Sequence, residues 1–176
     1  IPVELPQHVK EQYDSMEREF IMELIENGDL EVFHDSSKLM KCRQIANGTL
    51  YFDEKRNFEQ IHKEKIIALE SVVEAANGTP ILVDYWFKAD LEVLQKHFPK
   101  GRFFDGKPNT YKDFPKGKIP LLFIHPQSAG HGVDGLQRTT NIICFYSLDW
   151  NAEIISQAIG RIGNVRQAQA GYTRPT

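Results

Sequence analysis

From Pro80 onward the chain consists of short apolar runs, rich in β-branched and aromatic residues, set apart by helical or polar stretches, and that alternation restricts what it can fold into. The runs are Ile81-Leu82-Val83, Phe103-Phe104, Ile119 to Ile124 and Ile142 to Tyr146, with Ala89 to Phe98 in helical register between the first two. Runs of this kind suit strands buried on both faces, and helices between successive strands call for right-handed crossovers. The expected class is α/β, a parallel sheet flanked by helices.

The residues before Pro80 read differently. After Pro6, Val9, Tyr13, Met16, Phe20 and Leu24 recur at three- and four-residue spacing, which predicts an amphipathic helix ending near Asn27-Gly28. Asp35-Ser36-Ser37 offers a cap for a second helix through Leu39, Met40, Cys42 and Ile45, stopping at Asn47-Gly48. A hairpin-like piece from Thr49 to Phe58 leads into a third helix with Ile66, Leu69, Val72, Val73 and Ala76 on its buried face. Within that piece Asp53-Glu54 resembles the acidic box of an ATPase, but no apolar strand precedes it and it reads as a turn. A last helix is expected from the capping residue Asn151, carrying Ile154, Ile155, Ala158, Ile159 and Ile162. With no internal repeat and no low-complexity linker, the expected organisation is a helical lead-in over residues 1–60 packed on a lobe spanning 61–176.

Composition excludes several classes. A chain of 176 residues, 41% apolar and 26% charged, has the balance of an ordinary globular protein with a sizeable core. Cys42 and Cys144 sit in a helical and a strand pattern, so neither a disulfide framework nor a metal site is expected, and the compartment implied is reducing and cytoplasmic. His125 and His131 are six apart with no thiol or carboxylate in ligand register. No apolar run reaches the roughly 18 residues of a membrane span, and no basic-then-apolar leader opens the chain, so a membrane partner is not expected. The first residue is Ile1 and not Met, the expected opening of a fragment.

The net charge of −3 hides an asymmetry. Residues 1–95 carry 10 Lys+Arg against 19 Asp+Glu, and residues 96–176 carry 11 against 5. A basic half can bind phosphates locally inside a mildly acidic protein, although an unevenly charged solvated surface has the same composition. The basic residues concentrate in one segment: Lys96, Lys100, Arg102, Lys107, Lys112, Lys116 and Lys118 surround only Asp105 and Asp113, with Phe103, Phe104, Tyr111 and Phe114 interleaved. That mixture suits a surface that tracks a nucleic-acid backbone, or a basic surface whose aromatics belong to the core. Trp86 and Phe87 directly follow a strand and have two readings of the same sort, at a nucleic-acid face or packed under the next helix.

Open parallel sheets place ligands beyond the carboxyl ends of their strands, and Ser128-Ala129-Gly130-His131-Gly132-Val133-Asp134 follows Leu121 to Ile124 at such an end. Gly130 and Gly132 would let the backbone approach a ligand and present its N–H groups, or would simply serve a tight loop. About two dozen residues later comes Gln157-Ala158-Ile159-Gly160-Arg161-Ile162-Gly163.

Taken in order, Ile81-Leu82-Val83-Asp84-Tyr85-Trp86-Phe87, the Ser-Ala-Gly-His-Gly-Val-Asp loop, Asp149-Trp150-Asn151 and Gln-x-x-Gly-Arg resemble the second RecA-like lobe of Swi/Snf-type DNA translocases. These belong to superfamily 2 of helicases, within the P-loop NTPases. The resemblance covers most of residues 60–170, the two glycine- and arginine-bearing stretches standing as motifs V and VI, and the lead-in from Leu39 to Asn47 is similar to the segment joining the two motor lobes in phage-encoded members.

The resemblance implies roles. Ser128, Ala129 and Gly130 would touch the phosphates of one DNA strand, with Trp86, Lys112 and Lys116 on the same nucleic-acid face. Gly132 and Asp134 would lie toward ATP, Asp134 at its ribose or positioning the next arginine. Gln157 and Arg161 would face the cleft between lobes, Arg161 as an arginine finger. The family pattern expects a second arginine three residues after the first, where this chain has Asn164; Arg166 is the candidate replacement. The chain contains no G-x-x-x-x-G-K-[ST] phosphate loop and no strand ending in paired acids. ATP and Mg2+ would therefore be held by an N-terminal lobe of the same protein, with double-stranded DNA as partner, and this fragment alone would bind neither ATP nor Mg2+. The alternative is a non-catalytic α/β module that binds nucleic acid or protein and uses the glycine-rich loop only structurally.

Overall fold

The computed structural model describes residues 1–27, 37–105, 112–114, 116–129, 136, 139–148 and 151–162. The chain divides into two compact units, Ile1–Ala68 and Leu69–Thr176.

In the first unit, helix α1 (Gln7–Asn27) starts where Pro6 lends its carbonyl to the N–H groups of Val9 and Lys10, both at 2.9 Å. Val9 and Phe20 are buried on one face, whereas Ile21, Met22 and Ile25 are exposed. Helix α2 (Ser37–Asn47) packs against α1 through Leu39, Cys42 and Ile45, spaced three apart. It ends at Gly48, whose φ of +92° is the left-handed conformation that closes a helix, and whose N–H reaches the Ile45 carbonyl at 3.0 Å. A Cβ at this position would also meet the His62 carbonyl oxygen at 2.7 Å, so both torsion and space require glycine. Strands β1 (Thr49–Tyr51) and β2 (Phe58–Gln60) then form an antiparallel hairpin, with Tyr51 and Phe58 packed edge to face. Asp53 lies in the connecting turn and accepts the Asn57 N–H at 2.8 Å, which agrees with reading Asp53-Glu54 as a turn.

His62 ties this unit together. Its ring donates from Nε2 to the Ile45 carbonyl at the end of α2 (2.7 Å), while Nδ1 accepts the Glu64 N–H at the start of α3 (Glu64–Ala75; 3.3 Å). Accepting at Nδ1 requires the neutral ring, whereas the bond from Nε2 to Ile45 is kept in either form. Burial lowers the His62 pKa below its ordinary 6.5, outweighing the Ile45 bond and Glu64, which act in the opposite sense. The unfolded chain thus takes up this proton at a higher pH than the folded one. Its contribution to stability is complete above about pH 6.5 and is lost as pH falls through the lower folded value. The expected result is a urea midpoint that drops between pH 7.5 and pH 5, with a smaller drop in His62→Gln; equal drops would remove His62 as the cause.

The second unit carries the sheet. Strands β3 (Ile81–Asp84), β4 (Arg102–Phe103), β5 (Leu121–Ile124) and β6 (Ile143–Phe145) lie in the order β4-β5-β3-β6, and every pairing is parallel. Ile81 is level with Leu121, Leu82 with Ile143 and Arg102 with Leu122. The central strands β3 and β5 are buried at every residue, as their unbroken apolar runs predict. The outer strands depart from that prediction, because each lies beside a single neighbour among the described residues: β6 is half-buried and both residues of β4 are exposed.

Helix α4 (Lys88–His97) forms the crossover from β3 to β4, and helix α5 (Ala152–Ile162) follows β6. Leu82, Leu122, Ile124, Ile119, Phe114 and Leu136 form one apolar cluster, with Phe104 and Ile143 packed on it. Each fully buried side chain of this size contributes on the order of 1.5–3 kcal/mol relative to exposure. Gly101 enters β4 so close to the Phe123 ring that a Cβ would sit 2.6 Å from it.

Candidate functional site at the strand ends

Parallel pairing delivers the carboxyl ends of β5, β3 and β6 side by side. The Tyr85 N–H reaches the Ile124 carbonyl (3.1 Å) and the Tyr146 N–H the Asp84 carbonyl (2.9 Å), so the three chains stay in register for one residue past the strands. The segments that carry the candidate residues leave from this edge.

Trp86 is the first residue beyond it, and its backbone N–H and carbonyl are both held. Its N–H donates to Ser147 Oγ at 2.6 Å, from the chain just past β6. Its carbonyl accepts from His125 Nε2 at 3.1 Å, from the residue just past β5. His125 Nδ1 accepts the Gln127 N–H at 3.3 Å, which fixes the ring as neutral with its proton on Nε2. The indole and imidazole rings stack at 5.1 Å and 26°, and Tyr85 meets His125 edge-on at 5.6 Å.

Asp90 completes the arrangement. It lies in the first turn of α4 with no exposed surface, and its Oδ2 accepts the Phe87 N–H (3.1 Å) and the Ser147 hydroxyl (2.7 Å). The first bond closes the amino end of α4 as an acidic residue in this position does. The second makes Ser147 a relay that donates to Asp90 while accepting from Trp86. Burial raises the Tyr146 pKa far above its ordinary value, with the charges of Asp90 and Cys144 adding to it, so that phenol stays neutral.

The structure separates the sequence-derived candidates. Ser128 and Ala129 form the second half of a 3-10 turn, Pro126–Ala129, that follows β5 directly, and α5 lies against that turn. Gly130, Gly132 and Asp134 fall outside the described residues, as does His131. Gln157 is exposed on α5 and bonds Glu153 one turn back at 3.2 Å, and Arg161 stands one turn further along the same helix. Arg166 and Asn164 fall outside the described residues. Asn151 caps α5 as predicted, its Oδ1 accepting the Glu153 N–H at 2.9 Å.

Of the two aromatics after β3, Phe87 is buried and Trp86 half-buried at the strand ends. In the basic segment Lys112 and Lys116 are exposed, Lys116 within 3.7 Å of Asp113. Phe114 between them is fully buried in the core, while Phe103 is 43% exposed. The interleaved aromatics thus belong to two environments. Sequence reasoning missed Asp90 and Ser147 and weighed His125 only as a metal ligand, a role it set aside. The available signals were an acid three residues after a strand-end aromatic and a serine closing the last apolar run. Among the described residues no group of His, Cys, Asp and Glu could hold a metal ion, and no helix is long and apolar enough to cross a membrane. Neither Cys42 nor Cys144 is in a disulfide.

These features define an α/β protein whose four-stranded parallel sheet brings the segments that follow β5, β3 and β6 together at one edge. Protein p41 of Acyrthosiphon pisum secondary endosymbiont phage 1 is 49% identical over 175 residues, a match that takes in 99% of this chain and 38% of p41. The chain therefore spans about two fifths of that relative's length. The C-terminal part of the Fun30 ATPase domain is similar in structure over 63% of this chain and 38% of that one, at 18% identity and a TM-score of 0.49. No family model matches the sequence.

Proposed function

We propose that this chain is the C-terminal, RecA-like motor lobe of a DNA-dependent ATPase of the Swi/Snf type, part of a longer protein whose N-terminal lobe holds ATP and Mg2+. The observation that carries the reading is the packing of α5, bearing Gln157 and Arg161, on the 3-10 turn bearing Ser128 and Ala129, at the carboxyl edge of a parallel sheet. Two segments that resemble motifs V and VI are thereby adjacent, as a lobe that senses DNA and nucleotide together requires. The longer relative agrees with a missing lobe, and its phage origin with a phage or prophage source.

In this reading the 3-10 turn and the glycines after it bind one DNA strand through backbone N–H groups, with Lys112 and Lys116 adding charge. Trp86 lines the same face, and Gly132 and Asp134 lie toward the nucleotide. Phosphoryl transfer spreads negative charge over the transferred oxygens, and a guanidinium stabilises that charge only when it reaches them. Arg161, carried on the lobe opposite the phosphates, meets this condition only on closure, which couples hydrolysis to movement along duplex DNA.

The test is ATP hydrolysis with and without double-stranded DNA, by the 176-residue chain and by the longer parent protein. DNA-stimulated turnover in the parent and none in the chain alone is the expected outcome. A folded parent without stimulated turnover would replace this reading with that of a non-catalytic binding module.

A further inference from the structure

The Trp86 backbone is a junction between two segments that, among the described residues, no backbone ladder joins beyond the strand ends. On one side His125 bonds its carbonyl and, through Nδ1, the Gln127 N–H inside the turn that presents Ser128 and Ala129. On the other side Ser147, held by Asp90, bonds its N–H from the chain that leads into α5 and Arg161. Shifting either segment bears on the same residue, through the two peptide units that flank the Trp86 Cα.

We infer that Ser147 and His125 are positioning residues that transmit displacement between the DNA-side turn and the arginine-bearing helix through the backbone of Trp86. The inference rests on the motor-lobe reading. Ser147 is 2% exposed, so it touches neither DNA nor nucleotide and acts only through its neighbours. The neutral His125 ring suits the task because its two nitrogens bond in opposite senses, donating to one segment and accepting from the other, while its face rests on the indole. A side chain with a single polar atom would hold one segment and release the other. The Ser147–Asp90 bond is buried, the two bonds to Trp86 are half-buried and the Gln127–His125 bond is exposed, and in such a network the loss of one member changes how the rest are held.

The test uses the longer parent protein and two independent substitutions. Ser147→Ala removes the relay at minimal change of volume, and His125→Phe keeps a ring on Trp86 while removing both hydrogen bonds. For each, ATP turnover is titrated with duplex DNA. The expected result is that the KM for ATP and the unstimulated turnover stay within about twofold of wild type, while the stimulation at saturating DNA falls by roughly 5- to 150-fold, the range of a coupling between sites. Ser147→Thr, which keeps the hydroxyl, restores part of the stimulation, an outcome that loss of packing alone would not produce.

Thermal denaturation establishes which variants are folded, and either one suffices. Full stimulation in a folded Ser147→Ala or His125→Phe protein overturns the inference and leaves the motor reading intact. Absence of stimulation in the wild-type parent overturns both.

Discussion

In the longer parent protein, Arg161→Ala is expected to lower DNA-stimulated ATP turnover by about 10^3- to 10^5-fold, the range over which an arginine finger acts, while ATP binding changes little. The asymmetry follows from where the guanidinium works. On the proposed reading the phosphates are bound by the other lobe before closure, and Arg161 would add stabilisation only as charge develops in the transition state. An interaction made only there appears in kcat and leaves KM nearly unchanged. Single-turnover hydrolysis and nucleotide titration on the same preparation separate the two quantities. A variant that lost ATP affinity and kept turnover at saturating ATP would place Arg161 in ground-state binding, and one that lost neither would place it on the protein surface. The same pair of measurements on Arg166→Ala tells whether that residue does the work the family pattern assigns to the position of Asn164.

Phe114→Ala is expected to destabilise the chain by about 3–5 kcal/mol, the loss typical of an aromatic removed from a closed core. Phe114 is fully buried against Leu82, Ile119, Leu122, Ile124 and Leu136, so its removal leaves a cavity beneath both central strands. Phe103→Ala, on the exposed edge strand of the same basic segment, is expected to cost less than about 1 kcal/mol. Urea unfolding of the 176-residue chain measures both. If the two variants had equal midpoints, the division of this segment into a core anchor and an exposed aromatic would be wrong. The comparison also bears on DNA binding, because Phe114 fixes the segment from which Lys112 and Lys116 project.

What could be read from the sequence was local. The unbroken apolar runs of β3 and β5 announced strands covered on both sides, and they are central in the sheet. Gly48 was legible as a helix stop because a left-handed residue after Ile45 and Asn47 satisfies the last carbonyls without any distant partner. Phe103 and Phe114 could not be told apart, since both sit among lysines and only the crossover topology decides which one meets the sheet. The strand-end network was less legible still. Its bonds join Trp86 to Ser147 across 61 residues, Ser147 to Asp90 across 57 and His125 to Trp86 across 39. No periodicity in a single sequence reports contacts at such separations. The motif residues show the converse, because Ser128, Gln157 and Arg161 were proposed by resemblance to a pattern, and the fold supplies the elements that carry them.

Strand β4 has a consequence for how this protein behaves at high concentration. Sheets end in a row of unsatisfied backbone groups, and a long, flat, apolar border invites a second molecule to add a strand and begin fibrous aggregation. Here the border next to β5 is two residues long, begins with the charged side chain of Arg102 and is entered through Gly101, pressed against Phe123. A stranger's strand would find room for very few hydrogen bonds and a cation in its path. Among the described residues no strand lies beyond β4 on that side, so the brevity of this strand leaves little backbone for self-templating.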